Sequence, residues 1–300
     1  MDGRTTVSVD GLHGFPHAWA QELVATALRE DLGPDGVDVT TLATIPADQT
    51  RTAEIVARAP GVVAGVPVIG LVLAAVAEQL GAEPPAVEVV NDDGARLERG
   101  DVIARLRGTT QVVLVAERTI LNILSRLSGV ATHTRRWADA LEGTTTMVLD
   151  TRKTTPGMRW LEKYAVRCGG GTNKRMGLYD VAMIKDNHKL AAGSVAAAYA
   201  LVRDRFPDVD VQVEVTTPAE AREAYDAGAR FVMCDNMDVA TLRETVALLR
   251  AAGEPVEIEA TGGLTLEVVR DYAGTGVDFV SVGGLTHSSP IVDIALDLTD

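Results

Sequence analysis

The sequence is short of cysteine and of positive charge, and it lacks any long unbroken apolar run. Its two cysteines, Cys168 and Cys234, stand 66 residues apart in a chain of 300. That spacing offers neither a disulfide framework nor a zinc-ligand pair, so a reduced, cytoplasmic protein is expected. Lys and Arg number 28 against 42 Asp and Glu, a net charge of −14. Such a balance argues against a protein that coats nucleic acid or an anionic membrane. Taken alone it also argues against an anionic substrate. The first ten residues carry Asp2, Arg4 and Asp10 with no apolar core, so no signal peptide is expected there. Residues 59–77 contain no charge, but Pro60, Gly61, Gly65, Pro67 and Gly70 interrupt them. A turn, a short strand and a buried helix fit that stretch better than a membrane span. Neither GxxxxGK[ST] nor GxGxxG occurs, which removes the P-loop and the dinucleotide fingerprint.

With 46% hydrophobic residues there is ample material for a core. The pattern divides in two. Residues 18–32 read as a helix, 51–58 and 101–107 as strands, and 68–80 as a helix between them, with a turn signal at Asn91-Asp92-Asp93-Gly94. Strands and helices without regular alternation imply a small α+β domain over roughly the first 110 residues. Residues 111–141 follow a 3.6 period, with Gly129 as a potential break. From residue 146 the pattern alternates. Strand-like runs end near Asp150, Lys185, Glu214, Asp235, Glu259 and Gly283, with helices expected at 158–167, 194–205, 218–227, 238–251 and 265–273. Strands alternating with helices imply right-handed crossovers and a parallel sheet.

In parallel α/β folds the ligand lies beyond the carboxyl ends of the strands. Here those ends read Asp150-Thr151-Arg152-Lys153, Lys185-Asp186-Asn187-His188, Glu214, Asp235-Asn236, Thr261-Gly262-Gly263 and Gly283-Gly284. Six polar or glycine-rich ends in succession point to one mouth. Residues 150–189 hold nine cations to four carboxylates, a local +5 that leaves −19 for the other 260 residues. Arg159, Lys163 and Arg167 fall at helical spacing and read as a solvated face. Most of the others lie at strand ends or in the loop 169–175, a funnel suited to phosphates and carboxylates. The two glycine pairs could cradle a phosphate with bare N–H groups, the first of them ahead of a helix. Glu214 and Asp235, ending adjacent strands, could neutralise these cations, bind ribose hydroxyls or a Mg-pyrophosphate, or stabilise developing positive charge.

Several segments resemble quinolinate phosphoribosyltransferases: Glu117-Arg118-Thr119-Ile120-Leu121-Asn122, Asp150 to Gly157 (DTRKTTPG), Glu162-Lys163-Tyr164-Ala165-Val166 and Gly169-Gly170-Gly171. So do Ile184-Lys185-Asp186-Asn187-His188, Val213-Glu214-Val215 and Thr286-His287-Ser288. The resemblance spans nearly the whole chain and is densest from 117 to 288. It implies an incomplete, about six-stranded parallel α/β barrel plus a smaller N-terminal α+β sandwich domain. The implied boundaries are 1–125 for the sandwich, 126–285 for the barrel and 286–300 for a segment returning to the first domain.

The resemblance further implies that quinolinate and phosphoribosyl pyrophosphate give nicotinate mononucleotide, pyrophosphate and CO2, with Mg as cofactor. Arg152, Lys153 and Arg175 would hold the quinolinate carboxylates, within a binding set that includes Thr151 and Lys174. Arg118 would come from the partner subunit of a homodimer or hexamer. Lys153 and Lys185 would also face the donor's phosphates. Glu214 and Asp235 would hold ribose and Mg, the metal mostly through the pyrophosphate. Lys153, Lys185, Glu214 and Asp235 form the implied catalytic set, and Thr261, Gly262, Gly263, Gly283 and Gly284 the 5′-phosphate cradle. One position departs from the family pattern: Lys174 stands where the family usually has His, which leaves room for a shifted acceptor preference.

Three rivals remain open on the sequence. A paralogue on the same scaffold, such as the molybdenum-transport-associated relatives, would act on another acidic acceptor. A Schiff-base enzyme would use Lys185, but has no need of so broad an anion funnel. A non-catalytic sensor of pyridine metabolites would not need Glu214 and Asp235.

Overall fold

The computed structural model describes residues 14–299, so the segment read as lacking a signal peptide lies outside the described residues. The chain forms two compact units. Of the described residues, one comprises 14–135, 154–170 and 285–299; the other comprises Arg136–Lys153 and Gly171–Gly284.

The first unit begins with α1 (His17–Leu32), α2 (Val39–Thr44), β1 (Thr50–Ala57), β2 (Gly61–Val62), α3 (Pro67–Leu80), β3 (Ala86–Val89), β4 (Arg96–Leu97) and β5 (Val102–Thr109). Helix α1 buries Ala20, Val24 and Leu28, four residues apart and therefore on one face. Asp38 starts α2 by accepting from the N–H groups of Thr40 and Thr41 at 2.9 and 3.0 Å. The charge-free stretch becomes β2 and α3, whose Val68, Ile69, Val72, Leu73, Val76 and Ala77 are all buried. Among the described residues no helix is long and apolar enough to cross a membrane.

The last strand of the chain, β12 (Ile294–Thr299), pairs antiparallel with β1, Ile294 opposite Ala57 and Thr299 opposite Thr52. The resulting sheet runs β12-β1-β5-β3. Helix α4 (Thr110–Ala140) is 31 residues long and unbroken. Gly129 is therefore no break. Its missing side chain makes room for the Pro290 carbonyl and for Ile291, whose Cα would lie 3.0 Å from an added Cβ.

The alternating half supplies β6 (Met147–Leu149), α5 (Arg159–Cys168), β7 (Val181–Ile184), α6 (Asp186–Ala192), α7 (Val195–Arg205), β8 (Asp210–Val215) and α8 (Pro218–Asp226). It continues with β9 (Phe231–Asp235), α9 (Val239–Arg250), β10 (Glu257–Thr261), α10 (Val269–Ala273), β11 (Phe279–Ser281) and α11 (Gly284–His287). Its six strands form one parallel sheet in the order β6-β11-β10-β9-β8-β7. Ser194, Thr217 and Asp238 cap α7, α8 and α9 by accepting from Ala197, Glu220 and Thr241 N–H groups.

The outermost strands, β6 and β7, do not pair with each other. Residues 172–175 lie along the gap. The Thr172 N–H donates to the Val148 carbonyl at 2.9 Å, and its carbonyl accepts from Asp150 N–H at 3.2 Å. On the other side Arg175 Nη1 donates to the Val181 carbonyl at 3.0 Å. The incomplete barrel is thus bridged by a segment too short to count as a strand.

Two expectations need correction. Helix α10 begins at Val269, six residues beyond Gly263, so no helix N-terminus stands directly behind that glycine pair. The cations on α5 are not a solvated face: Lys163 is fully buried, and Arg159 and Arg167 are half-buried. Arg159 donates to Thr154 Oγ1 at 3.1 Å, and Arg167 lies over the Tyr164 ring at 5.6 Å. Helix α5 packs on more than one side within its unit, which the charges alone did not reveal.

Candidate active site

Side chains two apart on a strand share a face, and interior contacts identify which face lines the barrel. Lys174 Nζ lies 2.5 Å from Glu259 Oε2, 3.3 Å from Met233 Sδ and 5.7 Å from the Phe231 ring centroid. Phe231, Met233 and Asp235 therefore face inward on β9, as do Glu257, Glu259 and Thr261 on β10. Asp235 and Thr261 also face each other in register. The carboxyl ends of the strands consequently set Asp235 and Thr261 one layer above Met233 and Glu259.

On the neighbouring strand, Glu214 lies level with Met233 and accepts from Lys185 Nζ at 3.0 Å. Lys185, the residue that follows β7, keeps its side chain about half exposed, whereas Glu214 is mostly covered. Its backbone N–H donates to Nδ1 of His188, which gives that histidine a structural task at the start of α6. Asp235 accepts from Asn236 Nδ2 at 2.9 Å. Asn236 has a left-handed backbone, φ 53°, a conformation asparagine tolerates better than most residues. Its N–H donates to the Thr261 carbonyl, tying the ends of β9 and β10 together.

Gly262 and Gly263 both require positive φ, 91° and 63°, and a Cβ on Gly262 would run into the Asn236 side chain. Asn236 takes up the space beside Gly262, whereas Gly263 is exposed and has almost nothing against it. Gly283 follows β11 by two residues, and Gly284 opens the short α11.

Beyond β6, Asp150 is fully buried. It accepts from Asn173 Nδ2 at 2.6 Å and Lys174 N–H at 2.8 Å, so it anchors the bridging segment instead of meeting a ligand. Thr151 Oγ1 accepts from the Lys153 N–H at 3.1 Å. Lys153 is exposed, Arg152 is half-buried, and Arg175 is buried against Val181.

The basic island of the sequence is thus divided. Lys189 is held by Asp186 at 2.7 Å and Glu220 at 3.1 Å. The α5 cations belong to the other unit, and Lys174 is drawn into the barrel. At or beside the strand ends remain Arg152, Lys153, Arg175 and Lys185, with Glu214 and Asp235 as the facing carboxylates. Arg118 lies on α4 in the other unit, largely exposed, 3.8 Å from Glu117. Among the described residues no three His, Cys, Asp or Glu side chains gather as a metal cage. The cysteines stay inert: burial pushes both thiols up to about 12, helped by Glu259 at Cys234 and by Asp93 at Cys168.

A cavity of about 670 Å³ opens at the opposite, amino-terminal ends of the strands, lined by residues including Gln212, Arg230, Phe231, Arg250 and Phe279. Its three arginines are answered locally, Arg230 by Glu254, Arg250 by Asp278 at 2.7 Å and Arg203 by the Val209 carbonyl at 3.1 Å. None of the strand-end residues lines it, so it is not the candidate site. Asp150 and Glu259, expected only as strand ends, turn out to be anchors beneath the mouth, and sequence reasoning missed Ser281, whose hydroxyl donates to Glu259 Oε1. A period of two counted back from Thr261 and Gly283 marks Glu259 and Ser281 as inward-facing.

Residues 38–128 match a family model described as "Quinolinate phosphoribosyl transferase, N-terminal domain", and 130–297 match its C-terminal counterpart. A Mycobacterium leprae protein named nicotinate-nucleotide pyrophosphorylase (carboxylating) is 44% identical over 93% of this chain and 97% of its own. A Bacillus subtilis protein given the same name, as probable, is 40% identical over 94% of each chain. Among solved structures, the nicotinate-nucleotide pyrophosphorylase of Francisella tularensis superposes with a TM-score of 0.87 at 33% identity, covering 96% of this chain and 99% of that one.

Proposed function

The chain belongs to the quinolinate phosphoribosyltransferase family, and from that premise we propose that it converts quinolinate and phosphoribosyl pyrophosphate to nicotinate mononucleotide, pyrophosphate and CO2, a step of NAD biosynthesis. The observation that carries the reading is the Lys185–Glu214 pair, 3.0 Å apart at the ends of adjacent strands, beside Asp235 and the positive-φ glycines 262 and 263. A ligand that brings many negative charges and a sugar needs that combination of cations, carboxylates and bare backbone.

In this reading Arg152, Lys153 and Arg175 take the two carboxylates of the acceptor through charge-assisted contacts. Lys153 and Lys185 meet the donor's phosphates, and Lys185 exchanges Glu214 for a phosphate oxygen as the donor enters. Glu214 and Asp235 bind the ribose hydroxyls. The pyridine nitrogen forms a bond to the sugar's anomeric carbon while the bond to pyrophosphate breaks. Positive charge develops on the sugar during that exchange, and the two fixed carboxylates stabilise it without reorganising. The electron pair freed as the adjacent carboxylate leaves as CO2 stays on that carbon, stabilised by the positive charge of the neighbouring ring nitrogen, and a proton takes it up. Thr261, Gly262, Gly263, Gly283 and Gly284 hold the 5′-phosphate through the transfer.

Two carboxylates on neighbouring strands fit a Mg ion that arrives on the pyrophosphate, the usual way a hard, strongly hydrated cation is held by few protein ligands. Glu214 and Asp235 would hold it there, where it would offset the charge of the leaving pyrophosphate. Arg118, exposed on α4, suits a residue donated to the site of a second copy. A cytoplasmic setting accords with two free thiols. The test is product analysis with quinolinate, nicotinate and related pyridine acids competing for one donor in the presence of Mg. Nicotinate mononucleotide formed from quinolinate supports the reading, and exclusive use of another acid overturns it.

A further inference from the structure

The layer directly beneath the mouth contains an ion pair that neither anion binding nor phosphoribosyl transfer requires. Glu259 is fully buried and Lys174 nearly so. Glu259 lies two residues before Thr261, Ser281 two before Gly283, and Met233 two before Asp235, so this layer supports three of the six strand ends. Lys174 enters it from the opposite side, out of the segment that bridges β6 and β7. Its backbone N–H is held by Asp150 and its ammonium by Glu259, which in turn accepts from Ser281. Two buried carboxylates thus hold one residue at both ends, linking the bridging segment to β10 and β11 through the barrel interior. Burial pushes the Lys174 ammonium below its ordinary pKa, and Glu259 opposes that fall.

We propose that Lys174 and Glu259 are a positioning pair: their bond braces residues 172–175 against the floor under Asp235, Thr261 and Gly283, and Lys174 does not itself contact the acceptor. This rests on the proposed reaction for its readout. A cation already neutralised by a buried carboxylate offers an incoming anion no net charge. A rigid link across the barrel instead fixes the relative placement of Arg175, next along the segment, and the strand ends that hold the donor. Misplacement of about 1 Å in such a site can lower turnover on the order of 100-fold.

The test compares K174M, E259Q and the double variant K174M/E259M, with steady-state kinetics and thermal melting of each. Each single variant leaves a buried charge without its partner and should melt lower. Each should also lose on the order of 10–100-fold in kcat, with acceptor KM changed less than about threefold. The double variant, with neither charge of the pair left, should regain the melting temperature and keep the low kcat. Recovery of kcat together with stability would show a structural pair only. A large rise in acceptor KM for K174M alone, with E259Q equal to wild type or better, would make Lys174 a direct ligand. Either result overturns the proposal. The assays use whichever pyridine acid the wild-type chain accepts, so a wrong acceptor assignment and a wrong positioning role give different outcomes.

Discussion

Removing the charge of Glu162 should destabilise the chain far more than its place on a short helix suggests. Its carboxylate is fully buried and accepts from Arg126 Nε at 3.1 Å and Nη2 at 2.7 Å. It also accepts from Thr155 N–H at 2.9 Å and Oγ1 at 2.7 Å. Arg126 in turn donates to the carbonyls of Thr286 and Ser289. One ion pair therefore gathers α4, the turn that opens α5 and the segment after α11. Breaking a buried pair from one side typically costs about 3–5 kcal/mol. Glutamine keeps one acceptor oxygen, so the lower end, about 3 kcal/mol, is expected for E162Q. At roughly 2–4 °C per kcal/mol for a chain of this size, the melting temperature should fall by about 6–12 °C. Removing both charges in R126M/E162M should recover most of the loss, since no buried charge then lacks a partner. Urea and thermal unfolding followed by circular dichroism measure both. A shift below about 2 °C for E162Q, or a double variant as unstable as the two singles added, would refute the argument.

Other expectations follow from single contacts. Gly129→Ala should destabilise by about 1–3 kcal/mol in urea titration, because overpacking against Pro290 and Ile291 outweighs alanine's gain of about 1 kcal/mol in a helix. Stabilisation would show that Pro290 gives way. The Thr41 hydroxyl and N–H hold Asp38 below the usual carboxylate range. Burial works against Asp180 and Glu220, but the N–H groups of Met176 and Gly177, and of Thr216, outweigh it and lower both. Native values below unfolded ones mean that these groups' stabilisation is complete above about pH 5 and is lost as pH falls through the unfolded and then the native values. The triple variant D38N/D180N/E220Q should accordingly show a shallower acid limb of stability, and an unchanged limb would refute the assignment. If Arg118 acts across a dimer, equal amounts of R118A and K153A, each inactive, should regain about a quarter of wild-type activity on subunit exchange. No recovery after verified exchange would place Arg118 outside the partner's site.

Much of this was legible because it depends on periodicity. The alternation after residue 146 follows from short apolar runs between capped helices, and Thr217-Pro218 marks the start of α8 as found. The strand-end residues Lys185, Glu214, Asp235 and Thr261 were readable because a parallel sheet sends every carboxyl end the same way. What stayed hidden depends on contacts between distant residues. Gly129 reads as a helix break until Pro290 is seen against it. Lys163 reads as solvated until α5 is packed. Helix α6 stayed hidden because Lys185 to His188 reads as a polar strand end, although the Lys185 N–H to His188 Nδ1 bond caps the start of a helix. Lys174 reads as one more cation of a funnel. Only the partner 85 positions away, Glu259, shows that its charge is spoken for.

The central claim is most directly tested by following the carboxylate next to the ring nitrogen. Quinolinate labelled at that carbon, mixed with phosphoribosyl pyrophosphate, Mg and the purified chain, should release labelled CO2 in step with nicotinate mononucleotide and pyrophosphate. Pyrophosphate release with the label retained, or no product from quinolinate while another acid is consumed, would contradict the account.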